Sequence, residues 1–300
     1  MSCLNLKIKT WEEWLLGDDE NSIRNQIFSM IWNAAVFEIV KTAHNQAFKR
    51  GGENALPNWA VSDLILYSHF ETQVSAIMRL LDDRKQPDII SLKHLVKDIK
   101  DTQRCLTRKN YLDAFGLPYD YEDRLITANI HNDQNAFARY AGAKTMHERI
   151  DKLFGVSAKA QRKPTDTIPQ RLLDWIYKRL ETTELIDIRV YRHKFVAHAA
   201  RPENRKWKDT KDYKISLGKL SQAHKIICET TAFIAENIVC KSIRQFFPHS
   251  ARDVLENLDK PLATHENMST LQKQWDRYEK NTKEWCNWDW PQEFSKSGGN

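Results

Sequence analysis

Apolar side chains recur every three or four positions through most of the chain, a spacing that places them on one face of an α-helix. The first such segment covers residues 20–49, where the pattern is carried by Ile27, Ile31, Ala34, Ala35, Ile39 and Ala43. Gly51-Gly52 and Pro57 follow it, and both residue types break regular structure. A second segment with the same spacing covers residues 59–82. The pattern therefore predicts two long helices joined by a loop.

The rest of the chain shows the same periodicity in separate blocks. They predict further helices at 91–109, 143–155, 169–199 and 216–246. Ser91 is a suitable N-cap for the first of these blocks, and Pro169 suits the first turn of the third. Residues 110–142 are mixed in character and predict a surface excursion with at most one short helix, while residues 158–168 predict a polar linker.

These blocks predict an all-α fold, an antiparallel bundle of about five core helices with peripheral helices and a C-terminal tail. We expect three parts: an N-terminal segment at 1–19, a helical domain at 20–245 with an insertion at 110–168, and an extension at 246–300. The nine glycines and nine prolines are few for 300 residues, which also favours a mainly helical protein.

Charge and cysteine content narrow the classes of protein. The net charge of +6 is compatible with nucleic-acid binding. The five cysteines are scattered and form no C-x-x-C pair, so we expect no disulfide framework, no zinc site and a reducing cytoplasm.

The sequence also lacks the apolar segments that direct a chain to a membrane. No apolar stretch reaches the about 18 residues that cross a bilayer, and Met1–Lys9 lacks the apolar run of a signal peptide. The sequence therefore predicts a cytoplasmic protein without a membrane segment, metal or cofactor.

The helix predicted at 91–109 carries a basic face. A helical wheel places the cations opposite the apolar side, and they are Lys93, Lys97, Lys100, Arg104 and Arg108. One interpretation is an ordinary solvated face. The other is a ridge that tracks nucleic-acid phosphates and releases counterions.

The segment from Arg192 to His198 carries the clearest candidate chemistry. Arginine offers a permanently charged fork for a phosphate, and histidine can give or take a proton near neutral pH. On an ideal helix these two positions lie ~9 Å apart along the axis and ~120° apart around it. They can meet only if the helix end is distorted or if a second subunit contributes.

His198 shares a narrow polar stripe with three other residues, at steps of four and three positions: Asp187, Tyr191 and Lys194. Apolar residues flank this stripe on both sides, so we expect it to open into a cleft between neighbouring helices. The alternative is that His198 is a core or interface histidine, satisfied by a carbonyl group or by Asp187.

The stretch Tyr191-Arg192-His193-Lys194-Phe195-Val196-Ala197-His198 resembles the signature of HEPN domains, the higher eukaryote and prokaryote nucleotide-binding superfamily. That signature is an arginine, a polar residue, a few more residues and then a histidine. Residues 77–95 also look like the upstream helices of the abortive-infection U-type branch, and the resemblance covers residues 20–245. It implies a helical bundle that dimerises across the motif helix.

The resemblance also implies an activity, because many HEPN proteins are metal-independent endoribonucleases that act as toxins or anti-phage effectors. His198 would then serve as general acid or base, Arg192 would hold the scissile phosphate, and His193 would assist. Ala200 stands where an acidic residue is common in the family, so Asp187 would have to orient the histidine.

Three functions remain open at this point. The first is a homodimeric ribonuclease of abortive infection or toxin–antitoxin type, with RNA as substrate and an antitoxin or other protein as partner. The second is a module that binds RNA or nucleotide without cleavage, through the basic ridge, Lys194 and a loop that carries Arg201 and Arg205. The third is a helical dimerisation or protein-interaction domain.

Overall fold

The structure is a computed structural model that describes residues 3–49, 59–84, 89–156, 159–196, 215–243, 246, 255–256 and 265–285. Within these ranges the regular elements are helices, and the expectation of an all-α fold is confirmed. Contacts between residues divide the chain into two compact units, Met1–Pro248 and His249–Asn300. None of the described helices combines the length and the apolar character needed to span a membrane.

The first unit contains ten α-helices in its described residues. They are α1 (Cys3–Leu16), α2 (Ile23–Lys49), α3 (Trp59–Leu80), α4 (Leu92–Asp101), α5 (Arg108–Ala114), α6 (Tyr121–Ile130), α7 (Gln134–Phe154), α8 (Gln170–Arg179), α9 (Thr183–Tyr191) and α10 (Leu217–Phe233). Two π-helical turns continue α9 and α10, at Arg192–Val196 and Ile234–Ile238. The second unit contains α11 (Met268–Trp285), whose described side chains are almost all exposed.

Helix α1 is part of the core of the first unit. Leu4, Trp11 and Leu15 are fully buried. Asp98 of α4 also holds this helix, because it accepts hydrogen bonds from Trp11 Nε1 at 2.7 Å and from Lys7 Nζ at 2.8 Å. The segment at 1–19 therefore packs with the bundle that follows it.

Helices α2 and α3 form an antiparallel pair that is buried at one end only. Gln73 donates to the Met30 carbonyl at 3.1 Å, and the His69 ring stacks on Phe37 with 3.7 Å between ring centroids. Beyond these contacts the first turns of α3 expose five large apolar side chains, which we name the α3 apolar patch: Val61, Leu64, Ile65, Leu66 and Tyr67.

The prediction of one helix over 91–109 is wrong. Helix α4 begins at the predicted N-cap, where Ser91 Oγ accepts from the His94 amide at 3.0 Å, but it ends at Thr102. A short 3₁₀ turn follows, and Thr107 then caps α5 with its own side chain. The break reorients the chain so that Leu106 and Tyr111 reach the core.

Two further helix predictions differ from the structure. Residues 110–142 hold most of α5, all of α6 and the start of α7, rather than one short helix, because each of these helices buries its own apolar side chains. The block at 169–199 divides into α8 and α9 at Leu180, which is fully buried between them.

The sequence predicts no disulfide framework, but the structure joins Cys3 of α1 and Cys105 of the 3₁₀ turn in a single disulfide. Their Cα atoms lie 6.2 Å apart although 102 positions separate them in sequence. Cysteine spacing cannot reveal such a pair, since the packing of α1 against α5 alone brings the two residues together. Cys228 and Cys240 are free thiols.

Candidate functional site

The first five residues of the Arg192–His198 motif form a π-helical turn. Helix α9 ends at Tyr191, and the chain then widens into the turn Arg192–Val196. Turns of this kind are rare and occur often at functional sites, because one extra residue per turn redirects the side chains that follow. The helix end is thus distorted within the motif, which is one of the two arrangements that could bring its arginine and histidine together. His198, Ala200, Arg201 and Arg205 lie outside the described residues.

The side chains of Arg192 and His193 are exposed at the start of this turn, whereas Lys194 is half-buried. Tyr191 is half-buried too, and its ring stacks on Phe195 with 5.1 Å between centroids. Burial raises the pKa of Tyr191, and the nearby Glu71 and Tyr67 of α3 raise it further. The turn therefore packs against α3 and leaves the side chains of Arg192 and His193 exposed to solvent.

A carboxylate lies near Arg192 at the end of α3. Arg84 donates to both carboxylate oxygens of Asp82, at 2.6 and 3.0 Å. That hydrogen bonding lowers the pKa of Asp82, and the charge of Arg192 adds to the effect. Asp82 thus places a negative charge beside the motif arginine, which sequence reasoning did not assign to the site.

A second charged group lies beneath the motif helix and centres on Lys93. Its Nζ is buried and contacts Glu181 at 3.1 Å and Asp83 at 3.3 Å. Burial alone would lower the pKa of Lys93, but these two carboxylates outweigh it and the pKa is raised. Arg189 of α9 is close enough to oppose them. Lys93 therefore ties α4 to the α8–α9 junction instead of facing solvent.

Arg189 is the other functional candidate that the sequence did not indicate. Its Nη2 atom is buried and has no hydrogen-bond partner among the described residues. It lies three positions before Arg192, a spacing that puts both side chains on neighbouring parts of one helical face. This spacing is the signal that could have found it.

Asp187, the proposed orienting carboxylate, is already engaged. Its Oδ2 atom accepts from Lys219 Nζ of α10 at 2.6 Å. This pair connects α9 to α10 at a partly exposed position. Asp187 therefore fixes the motif helix in the bundle, and any contact with His198 would have to share the carboxylate with Lys219.

The prediction of a continuous basic ridge on residues 91–109 is wrong. Arg108 and Lys93 are buried and ion-paired, and Lys100 contacts Asp174 at 2.7 Å. Among the five predicted cations, Arg104 is exposed and Lys97 is half-buried. The wheel failed for Arg108 because it assumed one straight helix, whereas the chain turns after Thr102 and directs this side chain inward. It failed for Lys93 because Glu181 and Asp83 cover that part of α4.

Comparison with protein-family models, with curated proteins and with solved structures gives no match. The HEPN resemblance therefore rests on the residues of the motif and of the upstream helices alone.

Proposed function

We propose that this protein is a metal-independent endoribonuclease of HEPN type in which Arg192 and His198 act on an RNA phosphate. The observation that supports the proposal is the π-helical turn at Arg192–Val196. An ideal helix separates the two motif residues by ~120°, and a wider turn between them changes that relation. The exposed guanidinium of Arg192 is also available to a large anionic ligand.

The chemistry follows from the properties of the two side chains. Attack of a ribose 2′-oxygen on the adjacent phosphorus forms a P–O2′ bond and breaks the P–O5′ bond. His198 accepts the proton of the 2′-hydroxyl, and an imidazolium returns a proton to the leaving 5′-oxygen. Arg192 stabilises the negative charge that builds up on the phosphoryl oxygens. The products are a 2′,3′-cyclic phosphate and a 5′-hydroxyl end, and His193 assists at the edge of the site.

A homodimer provides the acid and the base together. One histidine cannot take one proton and deliver another in the same step, whereas two copies of the motif supply both groups. The α3 apolar patch supports this arrangement, since exposed apolar clusters mark interaction surfaces and Tyr67 lies beside the motif residue Tyr191. Two-fold symmetry would bring both patches and both motifs to one interface.

The partners follow from this activity. RNA is the substrate, and a cytoplasmic toxin or anti-phage effector would need an antitoxin or another protein to restrain it. In that reducing compartment the Cys3–Cys105 pair would be held as thiols. These statements belong to the proposal and depend on the cleavage reaction.

The test is RNA digestion by the purified full chain in the presence of EDTA. We expect cleavage that leaves 2′,3′-cyclic phosphate ends. His198→Ala should reduce the rate by roughly 10²–10⁴-fold through loss of the proton carrier, and Arg192→Ala by roughly 10²–10³-fold through loss of charge stabilisation. Matched controls are His131→Ala and Arg139→Ala, because both side chains are exposed, the first at the C-cap of α6 and the second on α7. Full activity in the His198→Ala protein contradicts the proposal, as does cleavage that EDTA abolishes.

A second candidate function is a helical dimerisation or protein-interaction module, and the α3 apolar patch is the observation that favours it. A stable dimer that cleaves no RNA at any protein concentration would support this candidate over the first. Non-catalytic RNA binding along α4 and the start of α5 is less well supported, because Lys93, Lys100 and Arg108 are engaged with carboxylates.

A further inference from the structure

A cavity of about 240 Å³ lies between α6, α7 and the segment that follows α7, apart from the motif residues. Its lining comes from three parts of the chain that are brought together only by folding: Tyr119, Asp120, Tyr121, Glu122, Asp123, His147 and Arg162. The ribonuclease proposed above makes no use of these residues. The lining combines three aromatic rings with three carboxylates.

The three rings meet at the buried imidazole of His147. Tyr119 meets this ring edge-on with 5.5 Å between centroids, and Tyr121 lies tilted against it at 4.8 Å. Burial lowers the pKa of His147, so its ring is neutral at pH 7. Aromatic side chains grouped in this way attract cations through the negative faces of their rings.

The charge of the lining has the opposite sign to the charge of the whole protein. Three carboxylates and one guanidinium line the cavity, a net of −2, whereas the chain carries +6. The guanidinium of Arg162 is already held by Asp151, with Nη2 to Oδ2 at 2.6 Å and Nε to Oδ2 at 2.9 Å. Asp120 is likewise held by Arg124 at 3.0 Å, so the negative charge of the lining comes from Glu122 and Asp123. The cavity is therefore a local negative site on a positive protein.

Size and charge together decide which ligand fits. Pockets for drug-sized ligands enclose about 300–1,000 Å³, so this cavity accommodates one headgroup rather than a whole nucleotide. A phosphate would face the carboxylates of Glu122 and Asp123 and an arginine that Asp151 already neutralises. A guanidinium or ammonium group would gain both the carboxylates and the ring faces.

The polar atoms of the cavity wall are held in place by hydrogen bonds. Tyr121 Oη donates to Glu122 Oε1 at 2.7 Å and accepts from Arg162 Nη1 at 3.4 Å. Tyr119 Oη donates to the Arg162 carbonyl at 3.1 Å. Both rings are therefore fixed before a ligand arrives, which lowers the entropic cost of binding.

We propose that this cavity binds an organic cation, a guanidinium or ammonium headgroup, between the rings of Tyr119 and Tyr121 and the carboxylates of the α6 first turn. The headgroup has two possible sources, a free amine or a basic side chain of a partner protein. This site is independent of the proposed ribonuclease, and neither proposal depends on the other.

Calorimetric titration of the full chain with agmatine tests the site, with inorganic phosphate as the opposite probe. We expect agmatine to bind with a dissociation constant of about 1 mM or below, and phosphate not to bind there. Tyr119→Ala should weaken agmatine binding roughly tenfold. Tyr119→Phe should weaken binding much less than Tyr119→Ala does, because it keeps the ring and loses only the hydroxyl contact that helps to fix it.

Charge is tested by Asp123→Asn, which should weaken binding about fivefold and reduce its salt dependence. Asp113→Asn is the matched control, since this carboxylate is exposed on α5 and outside the lining. Peptides with a central arginine or citrulline separate the two sources. An arginine peptide that binds more than about tenfold tighter than agmatine indicates a protein partner, and equal or weaker binding indicates a free amine.

Three results would overturn the inference. The first is that agmatine does not bind at about 10 mM. The second is that the Tyr119→Ala protein binds agmatine as tightly as the wild type does. The third is that the arginine and citrulline peptides bind equally and that phosphate binds at the same residues. Thermal unfolding of each variant checks that the fold is intact. Tyr119 is 43% exposed, so its truncation leaves the core in place.

Discussion

Arg108→Met should destabilise the first unit strongly, although a helical wheel would place this arginine on the surface. The side chain is fully buried in the structure. Its Nη2 contacts Asp151 Oδ1 at 2.6 Å and its Nε contacts Asp166 Oδ2 at 3.4 Å. The guanidinium also lies 5.8 Å from the centroid of the Phe154 ring. Methionine keeps much of the apolar stem and removes the charge.

The magnitude follows from what the substitution leaves behind. Removal of one partner of a buried ion pair costs about 3–5 kcal/mol, because the other charge stays buried without compensation. Here Asp151 keeps Arg162, and Asp166 keeps a hydrogen bond from the Lys163 amide at 2.8 Å. We therefore expect the lower end of that range, about 3 kcal/mol. For a unit of this size the melting temperature should fall by about 6–12 °C.

The assay is urea denaturation followed by circular dichroism, with the slope compared between variants to verify two-state unfolding. Arg104→Met is the matched control, because this arginine is exposed one short turn earlier, and it should change the free energy of unfolding by less than about 0.5 kcal/mol. In a double-mutant cycle, Arg108→Met and Asp151→Asn should be non-additive by at least about 0.5 kcal/mol. A loss below about 1 kcal/mol, or full additivity, would refute the reasoning.

The same network predicts an acid dependence. Burial raises the pKa of Asp151, but hydrogen bonds from Arg162 and Arg108 outweigh it and the pKa is lowered overall. The stabilisation is therefore complete above the unfolded pKa near 3.9 and is lost as the pH falls through the lower folded value. Arg108→Met should reduce this loss. If the free energy of unfolding of the variant falls with acid as steeply as that of the wild type, the assigned ion-pair network is contradicted.

Two other predictions concern the disulfide and a buried histidine. Cys3→Ser should lower the free energy of unfolding of the oxidised protein by about 4.7 kcal/mol, because the Cys3–Cys105 bond closes a loop of 102 positions. Dithiothreitol should lower the melting temperature of the wild type and leave that of the variant unchanged, and equal responses would argue against the bond. His224 is buried, its Nε2 has no hydrogen-bond partner among the described residues, and burial with the nearby His69 lowers its pKa to about 4. Its folded pKa lies below the unfolded value of 6.5, so the stabilisation is complete above pH 6.5 and is lost as the pH falls toward 4, by about 3 kcal/mol. His224→Gln should flatten the stability curve across that interval when unfolding is measured at several pH values, and an unchanged slope would contradict the assignment.

Helix positions were predictable where one element buries one apolar face. The helices predicted at 20–49 and 59–82 correspond to α2 and α3, and Ser91 caps α4 as its side chain indicates. The breaks after Thr102 and near Leu180 were not predictable, because the periodicity continues across both positions. Only the packing of several helices together decides where such a segment turns.

The candidate site, too, was predictable from the sequence only in part. Arg192 and His198 are visible in sequence because their residue types carry the chemistry, and helical geometry alone indicates that they meet only through a distorted helix end or a second subunit. Arg189 could have been found from its spacing to Arg192, whereas Asp82 and Lys93 come from other elements and have no spacing relative to the motif that indicates their position. Their assignment needed the tertiary structure.

Periodicity, residue type and composition thus determined the all-α class, the long helices and the motif with its candidate chemistry. The tertiary structure decided which cations are exposed, which cysteines pair and which rings and carboxylates meet at the Tyr119–His147 cavity. The physical reason is that periodicity reports which face of one helix avoids water, a property of nearby residues. Ion pairs, a disulfide and a cavity lining depend on the distances between atoms far apart in the chain, and these distances are set only when the helices pack.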